Sequence, residues 1–237
     1  MTRHDWLLAV TLMVLCGCQA APERPAPQEA AVRFPAEIYD RIEASRGRVF
    51  RLDQDASEVH IFVYRAGALA DRGHNHVITA PALEGAVFVP AAGVKDARFD
   101  LVIPVDELQV DDAEVRRSLG YTFGSEVTDD ARAGTRANML GPGLLDAGRF
   151  PHLAVASRAV AGELPKLVIT AAVTLRGVTR ELLVPVDVQL EEDRLVARGA
   201  LALRQSDFGI EPFSALGGLL RVDDAVMMEF RLVGSAR

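Results

Sequence analysis

Residues 181–204, ELLVPVDVQLEEDRLVARGALALR, decide the fold class of this chain. In residues 181–190 every even position from Leu182 to Leu190 is apolar, and the other face carries Glu181 and two further polar side chains. Residues 194–204 repeat the alternation, with arginines on the polar face. A period of two is typical of a half-buried β-strand. The two runs therefore predict an antiparallel hairpin, with Glu192-Asp193 in its turn.

Similar runs occur along the rest of the chain, separated by turn signals such as Arg176-Gly177. They cover residues 57–66, 82–90, 96–104, 153–161, 166–175 and 224–234. With the hairpin they give about eight antiparallel strands, a number typical of a closed barrel. Between the third and fourth strands, residues 106–152 have helix-compatible composition and predict one or two short helices. A two-sheet sandwich remains the alternative, because the period alone does not separate it from a barrel.

Several residues expected to point inward are small or aliphatic. They are Ala97, Val184, Ala197 and Gly199. Small side chains on the inner face of a barrel leave a lumen, and a lumen implies a ligand. The same residues could also close on each other in a packed core.

The N-terminus has the features of a bacterial lipoprotein signal. Residues 6–15, WLLAVTLMVL, form an apolar segment too short to span a bilayer, and Leu15-Cys16-Gly17-Cys18 follows it. The Leu-x-Gly-Cys pattern resembles the lipobox, which makes Cys18 the lipid-modified first residue of the mature chain. Gln19 in place of Asp favours the outer membrane in the sorting pattern that this resembles. Residues 19–31 are rich in Pro and Ala and indicate an extended tether.

These features divide the chain into a signal peptide (1–17), a lipid anchor with its tether (18–47) and one domain (48–237). The mature protein would then contain no cysteine, which excludes disulfides and thiolate metal sites. The net charge of −7 comes without a cluster of basic and aromatic residues. Nucleic acid is therefore not an expected partner.

Three stretches together resemble the YceI-like, polyisoprenoid-binding domain family. They are VTLRGVTREL (173–182), LRQSDFGI (203–210) and LLDAGRFPHLAVAS (144–157). The first resembles the strand-turn-strand signature of the family, the second its Arg-x-x-Asp-Phe-Gly-Ile segment, and the third matches in Asp146 and in Phe150-Pro151. The resemblance covers roughly residues 48–235, in the same order and spacing.

The resemblance implies a lipocalin-like antiparallel barrel in the periplasm. It also implies an elongated apolar tunnel that holds an isoprenoid chain, such as that of a quinone, and a homodimer, since members are often dimers. No other cofactor is expected. The residues expected to contact the ligand are Phe62, Tyr64, Phe99, Leu101, Val184, Val186, Leu201, Leu203 and Phe208, with His74 and His76 at one end of the barrel.

The stretch DRGHNHVITA (71–80) places His74 and His76 one residue apart in a chain with five histidines. On an extended strand both imidazoles would point to one side and could share a metal ion, but a third ligand would be needed, from His60, His152, Asp71 or Asp207. The favoured interpretation is a turn that begins at Gly73, with the imidazoles hydrogen-bonded at the rim of the barrel.

Three functions therefore stay open at this point. The first is a lipid-anchored periplasmic protein that binds a hydrophobic molecule, and the second is a metal-binding protein or metal-dependent enzyme centred on His74 and His76. The third is a ligand-free envelope scaffold. Catalytic candidates are few, because no Ser lies in a G-x-S-x-G motif. The adjacent acidic pairs, among them Asp111-Asp112, are expected in turns and solvated caps.

Overall fold

A computed structural model describes residues 32–236. In these residues the chain forms twelve β-strands and three α-helices. The strands are β1 (Gly47–Leu52), β2 (Glu58–Ala66), β3 (His76–Thr79), β4 (Glu84–Pro90), β5 (Arg98–Pro104), β6 (Gln109–Val110), β7 (His152–Glu163), β8 (Lys166–Leu175), β9 (Val178–Leu190), β10 (Arg194–Arg204), β11 (Ser214–Ala215) and β12 (Leu220–Ala236). The helices are α1 (Ala36–Asp40), α2 (Ala113–Ser118) and α3 (Asp129–Leu140).

Eight of the strands close into an antiparallel barrel. The hydrogen-bonded order is β1, β4, β5, β7, β8, β9, β10 and β12. The ring closes where β12 pairs with β1, through partners such as Phe50 and Ala236. The predicted all-β, lipocalin-like barrel is confirmed, and the sandwich alternative is wrong because the sheet returns to its first strand.

Strand β2 is not part of the closed ring and extends the wall at one end of the barrel. Residues Arg221–Arg231 of β12 pair with β2, and β3 and β6 follow β2 outward. The register between β12 and β2 shifts between Val222 and Val226, which is a bulge in β12. Helices α2 and α3 lie between β6 and β7, in the segment where one or two short helices were predicted. None of the helices in residues 32–236 is long and apolar enough to cross a membrane.

Two features near the N-terminal edge of the domain differ from the sequence analysis. Strand β1 was not among the predicted strands, because its six residues carry two arginines and show little alternation. The tether was expected to reach residue 47, but Phe34 and Tyr39 are buried against the outer face of β4 and β5, beside Ala86 and Val102. The described part of the tether is therefore packed onto the barrel.

Candidate functional site

The barrel interior holds a cavity of about 140 Å³. Every side chain that lines it is Leu, Val, Ile, Ala, Phe or Met, and they come from strands around the whole ring. An apolar cavity of about 150 Å³ in another protein stays dry and takes up benzene, so this space suits hydrocarbon better than water. We call it the inner cavity.

A second cavity, of about 190 Å³, lies at the end of the barrel where β2 and β3 extend the wall. Its lining is mostly apolar but includes His76, Gln205 and two polar residues of α3. We call it the outer cavity. Leu153, Leu203 and Met228 line both cavities, so they form the partition between the two.

Six of the residues predicted to contact a ligand line the inner cavity. They are Phe99, Leu101, Val184, Val186, Leu201 and Leu203. Their even spacing on β5, β9 and β10 explains this, since alternate side chains point to the same face of a strand. Of the small residues expected to point inward, Ala97 and Ala197 line the cavity, whereas Gly199 does not.

Three other predicted ligand contacts lie elsewhere. Phe62 and Tyr64 point out of the barrel from β2 and pack beneath Phe123, which follows α2. Phe208 is 1 % exposed and belongs to the packed core, but it lines neither cavity. The sequence predicted that these aromatics contact a ligand, but it did not show which face of β2 is covered by Phe123 and its neighbours.

The backbone around Gly73 differs from the expected turn. Gly73 has φ −107° and ψ −177°, an extended conformation that any residue adopts. The chain reverses earlier, at Gly67, whose φ is +93° and whose added Cβ would lie 2.5 Å from the carbonyl oxygen of Leu219. A left-handed residue at this close approach has to be glycine. The turn signal was therefore real but was assigned to the wrong glycine.

His76 faces the outer cavity from β3, and a buried carboxylate fixes its ring. Asp111 is 0 % exposed, and its Oδ2 lies 2.6 Å from Nδ1 of His76. Its Oδ1 accepts hydrogen bonds from the Val77 N–H and from Nη1 of Arg116, at 3.1 and 2.6 Å. The expectation that Asp111 lies in a solvated cap is wrong. Within this pair it holds for Asp112, which caps the first turn of α2.

The protonation state of Asp111 follows from these contacts. Burial alone would raise the pKa of the carboxyl, but the hydrogen bond and charge of His76 and the hydrogen bonds from Val77 and Arg116 outweigh it and lower the pKa. Asp111 is therefore a carboxylate at neutral pH. A carboxylate only accepts hydrogen bonds, so the proton in its contact with His76 stays on Nδ1.

Arg116 completes this group and is itself 6 % exposed. Besides Asp111 it donates to the carbonyl oxygens of Asn75 and Ser125, at 2.7 and 2.9 Å. The Asn75 side chain donates in turn to the carbonyl oxygen of Thr122, at 3.0 Å. The HNH stretch thus fastens the segment 111–125 to the barrel. Neither Asp111 nor Arg116 was a sequence-based candidate, because Asp111 lies 35 residues beyond His76 and no local pattern links the two.

His74 lies beside this group but outside both cavities. Its Nδ1 is 3.3 Å from Oγ of Ser125, and its ring centre is 6.4 Å from that of His76. Burial, followed by the charges of His76 and Arg116, lowers the pKa of His74. Across residues 32–236, no three His, Cys, Asp or Glu side chains are grouped so that they could hold a metal ion. The third ligand required by the metal interpretation is therefore not found in this part of the chain.

Taken together, a closed antiparallel ring around an apolar cavity defines a lipocalin-like barrel. The chain belongs to the YceI-like domain family, whose sequence model matches residues 50–234. The resemblance drawn from the three sequence stretches is thus confirmed. No curated protein matches the chain.

Solved structures of low sequence identity share the fold. BcnA of Burkholderia cenocepacia is 18 % identical, with a TM-score of 0.57 over 77 % of this chain and 98 % of BcnA. A polyisoprenoid binding domain from Saccharophagus degradans is 17 % identical, with a TM-score of 0.54 over 79 % of this chain and 98 % of that domain. The YCEI protein of Campylobacter jejuni is 9 % identical, with a TM-score of 0.50 over 68 % of this chain and 84 % of that protein.

Proposed function

We propose that this protein binds an elongated hydrophobic molecule, of the isoprenoid or quinone-like class, inside its barrel. The observation that carries the proposal is the inner cavity, in which every lining side chain is apolar. Leaving such a space empty forfeits dispersion contacts on all sides, and an apolar chain restores them. The polyisoprenoid binding domain that shares the fold supports the choice of ligand class.

The proposed location is the periplasmic side of the outer membrane, with the chain anchored through Cys18. This part of the proposal rests on the lipobox-like sequence and on Gln19, both of which lie outside the described residues. An anchored barrel would keep its binding cavity close to the bilayer from which an isoprenoid or quinone is drawn. Such lipids are nearly insoluble in water, so proximity to the membrane would favour their uptake.

Mass spectrometry of organic extracts from the purified protein tests the binding. We expect one apolar lipid in near-stoichiometric amount from the wild-type chain and from Ala200→Phe, whose side chain is exposed on β10. Ala197→Phe should lose the lipid, because Ala197 lines the inner cavity on the same strand and a benzyl group would fill the space. A wild-type extract without lipid, or an Ala197→Phe extract with the full amount, would contradict the proposal.

A further inference from the structure

We infer that the outer cavity is the subsite for the head group of the ligand, and that it selects a neutral, hydroxyl-bearing head over an anionic one. His76 is the residue that would contact this hydroxyl. The inference rests on the proposed function, because it assigns the tail of the same molecule to the inner cavity.

The two cavities are adjacent, so one molecule could place its tail in the inner cavity and its head group in the outer cavity. They meet at a partition of three flexible or branched apolar side chains, Leu153, Leu203 and Met228. Thioether side chains such as that of Met228 adapt readily to a neighbouring ligand. A ligand that displaced the side chains of the partition would extend from the wholly apolar inner cavity into the outer cavity, whose lining includes polar side chains.

The chemistry of the outer cavity favours a head without charge. Its polar lining residues are His76, Thr135, Asn138 and Gln205, and no lysine, arginine, aspartate or glutamate of the described chain lines it. The one ionisable side chain of the lining, His76, is already paired with the Asp111 carboxylate at 2.6 Å. An anion such as a diphosphate would therefore lose its hydration in this space without gaining an unpaired cation. Burial of an unpaired charge is costly, so the geometry opposes an anionic head.

The nearby arginine does not change this conclusion. Arg116 is buried and does not line the outer cavity, and its Nη1 and Nη2 atoms donate to Asp111, Asn75 and Ser125. Its charge is balanced by the Asp111 carboxylate at 2.6 Å. An anion in the outer cavity would have to break this pair to reach the guanidinium.

His76 is oriented to hydrogen-bond the head. Asp111 holds Nδ1 and its proton, which leaves Nε2 as the only ring atom able to bond an occupant of the cavity. Within residues 32–236 the His76 ring makes its side-chain hydrogen bond through Nδ1 to Asp111, which leaves Nε2 for an occupant of the cavity. Nε2 accepts a hydrogen bond when the imidazole is neutral and donates one when it is charged, and a hydroxyl can serve either role whereas a hydrocarbon end can serve neither. An alcohol or a quinol carries such a hydroxyl.

Binding of three probes with one C15 tail tests the inference: farnesol, farnesyl diphosphate and the hydrocarbon farnesene, titrated calorimetrically into delipidated full-length protein. We expect farnesol to bind most tightly. His76→Phe should weaken farnesol binding about tenfold, the effect of about one hydrogen bond, and should leave farnesene binding unchanged. His60→Phe is the matched control, because His60 points out of the barrel beside Phe62. Circular dichroism checks that both variants are folded.

The outcomes separate the inference from the proposed function. If farnesyl diphosphate binds more tightly than farnesol, or if His76→Phe binds farnesol like the wild type, the head-group subsite is refuted while hydrocarbon binding by the barrel stands. If none of the probes binds, the proposed function and the subsite fail together. Loss of farnesol affinity in His76→Phe alone, with farnesene affinity retained, supports both.

Discussion

The Asp111 carboxylate is ionised and fully buried, so removing it from water costs free energy that its partners must offset. Its partners Arg116, His76 and Val77 offset the free energy of removing it from water. Removing one partner of a buried ion pair leaves the other charge uncompensated, which typically costs about 3 to 5 kcal/mol. The stability of this end of the barrel should therefore depend on Arg116 far more than on a surface arginine.

We predict that Arg116→Met lowers the free energy of unfolding by about 3 to 5 kcal/mol, measured by guanidinium denaturation. The matched control is Arg117→Met, on the same helix. Arg117 has a 75 % exposed side chain and a loose 3.6 Å contact with Glu114, so its loss should change stability by less than about 0.5 kcal/mol. Equal effects of the two substitutions would show that the buried pair is not structurally important.

His74 gives a prediction about pH. Its pKa in the folded protein lies below the ordinary value of 6.5, first because of burial and then because of the nearby positive charges. Below pH 6.5 the unfolded chain takes up a proton that folded His74 does not, so the free energy of unfolding falls as the pH drops. We expect denaturation at pH 7.5 and pH 5.5 to show a smaller loss for His74→Gln than for the wild type. An identical loss would rule out this contribution of His74.

At the scale of the strand, the absence of a side chain at Gly199 of β10 leaves room for the aromatic ring of Phe230 on β12. A Cβ at this position would lie 2.6 Å from Cζ of Phe230 on the neighbouring strand and 2.7 Å from the Pro185 carbonyl oxygen. Such distances require the ring or the strand to move. Because Gly199 has no side chain, the ring of Phe230 can occupy this position and line the inner cavity.

We predict that Gly199→Ala lowers the free energy of unfolding by about 1 to 3 kcal/mol, the usual range for overpacking. Gly134→Ala is the contrasting control. Gly134 lies inside α3 with no atom within 4 Å of the added Cβ, so the substitution should stabilise the helix by roughly 0.5 to 1 kcal/mol. The melting temperatures of both variants test these predictions. A higher melting temperature for Gly199→Ala would contradict the close contact between Gly199 and Phe230.

The strands could be predicted from the sequence because one face of each is buried. Alternation on β9 and β10 located the hairpin and also the inward residues Val184 and Leu201, which line the inner cavity. The same rule did not separate inside from outside on β2. Its outer face is covered by Phe123 and its neighbours, so both faces of the strand carry apolar residues.

The polar part of the candidate site was only half predictable. The motif drew attention to His76, but its partner Asp111 is 35 residues further along the chain and reaches it only because β6 pairs with β3. The outer cavity depends in the same way on α3, which supplies Thr135 and Asn138. Contacts between distant segments depend on the tertiary structure, so local sequence patterns do not predict them.

At the scale of the whole molecule, the proposed lipid anchor at Cys18 would lie only a short stretch of chain away from the barrel. Phe34 and Tyr39 are packed on the barrel wall, so the chain is fixed to the domain from about that point onward. Residues 19–31, rich in Pro and Ala, precede it. If Cys18 carries the anchor, few residues separate the lipid from the folded domain, and the barrel would stay near the bilayer surface.

The anchor itself is tested by changing each cysteine of the signal region. We predict that Cys18→Ser stays unprocessed and is not labelled by radioactive palmitate, whereas Cys16→Ser matures and is recovered with the outer membrane. Each CH₂ buried in the bilayer contributes about 0.8 kcal/mol, and one acyl chain binds only marginally, so the several chains of a lipoprotein cysteine are needed for stable attachment. A Cys18→Ser protein that is still recovered as a mature, membrane-bound form would contradict the lipid anchor, because no acyl chain could then be attached at residue 18.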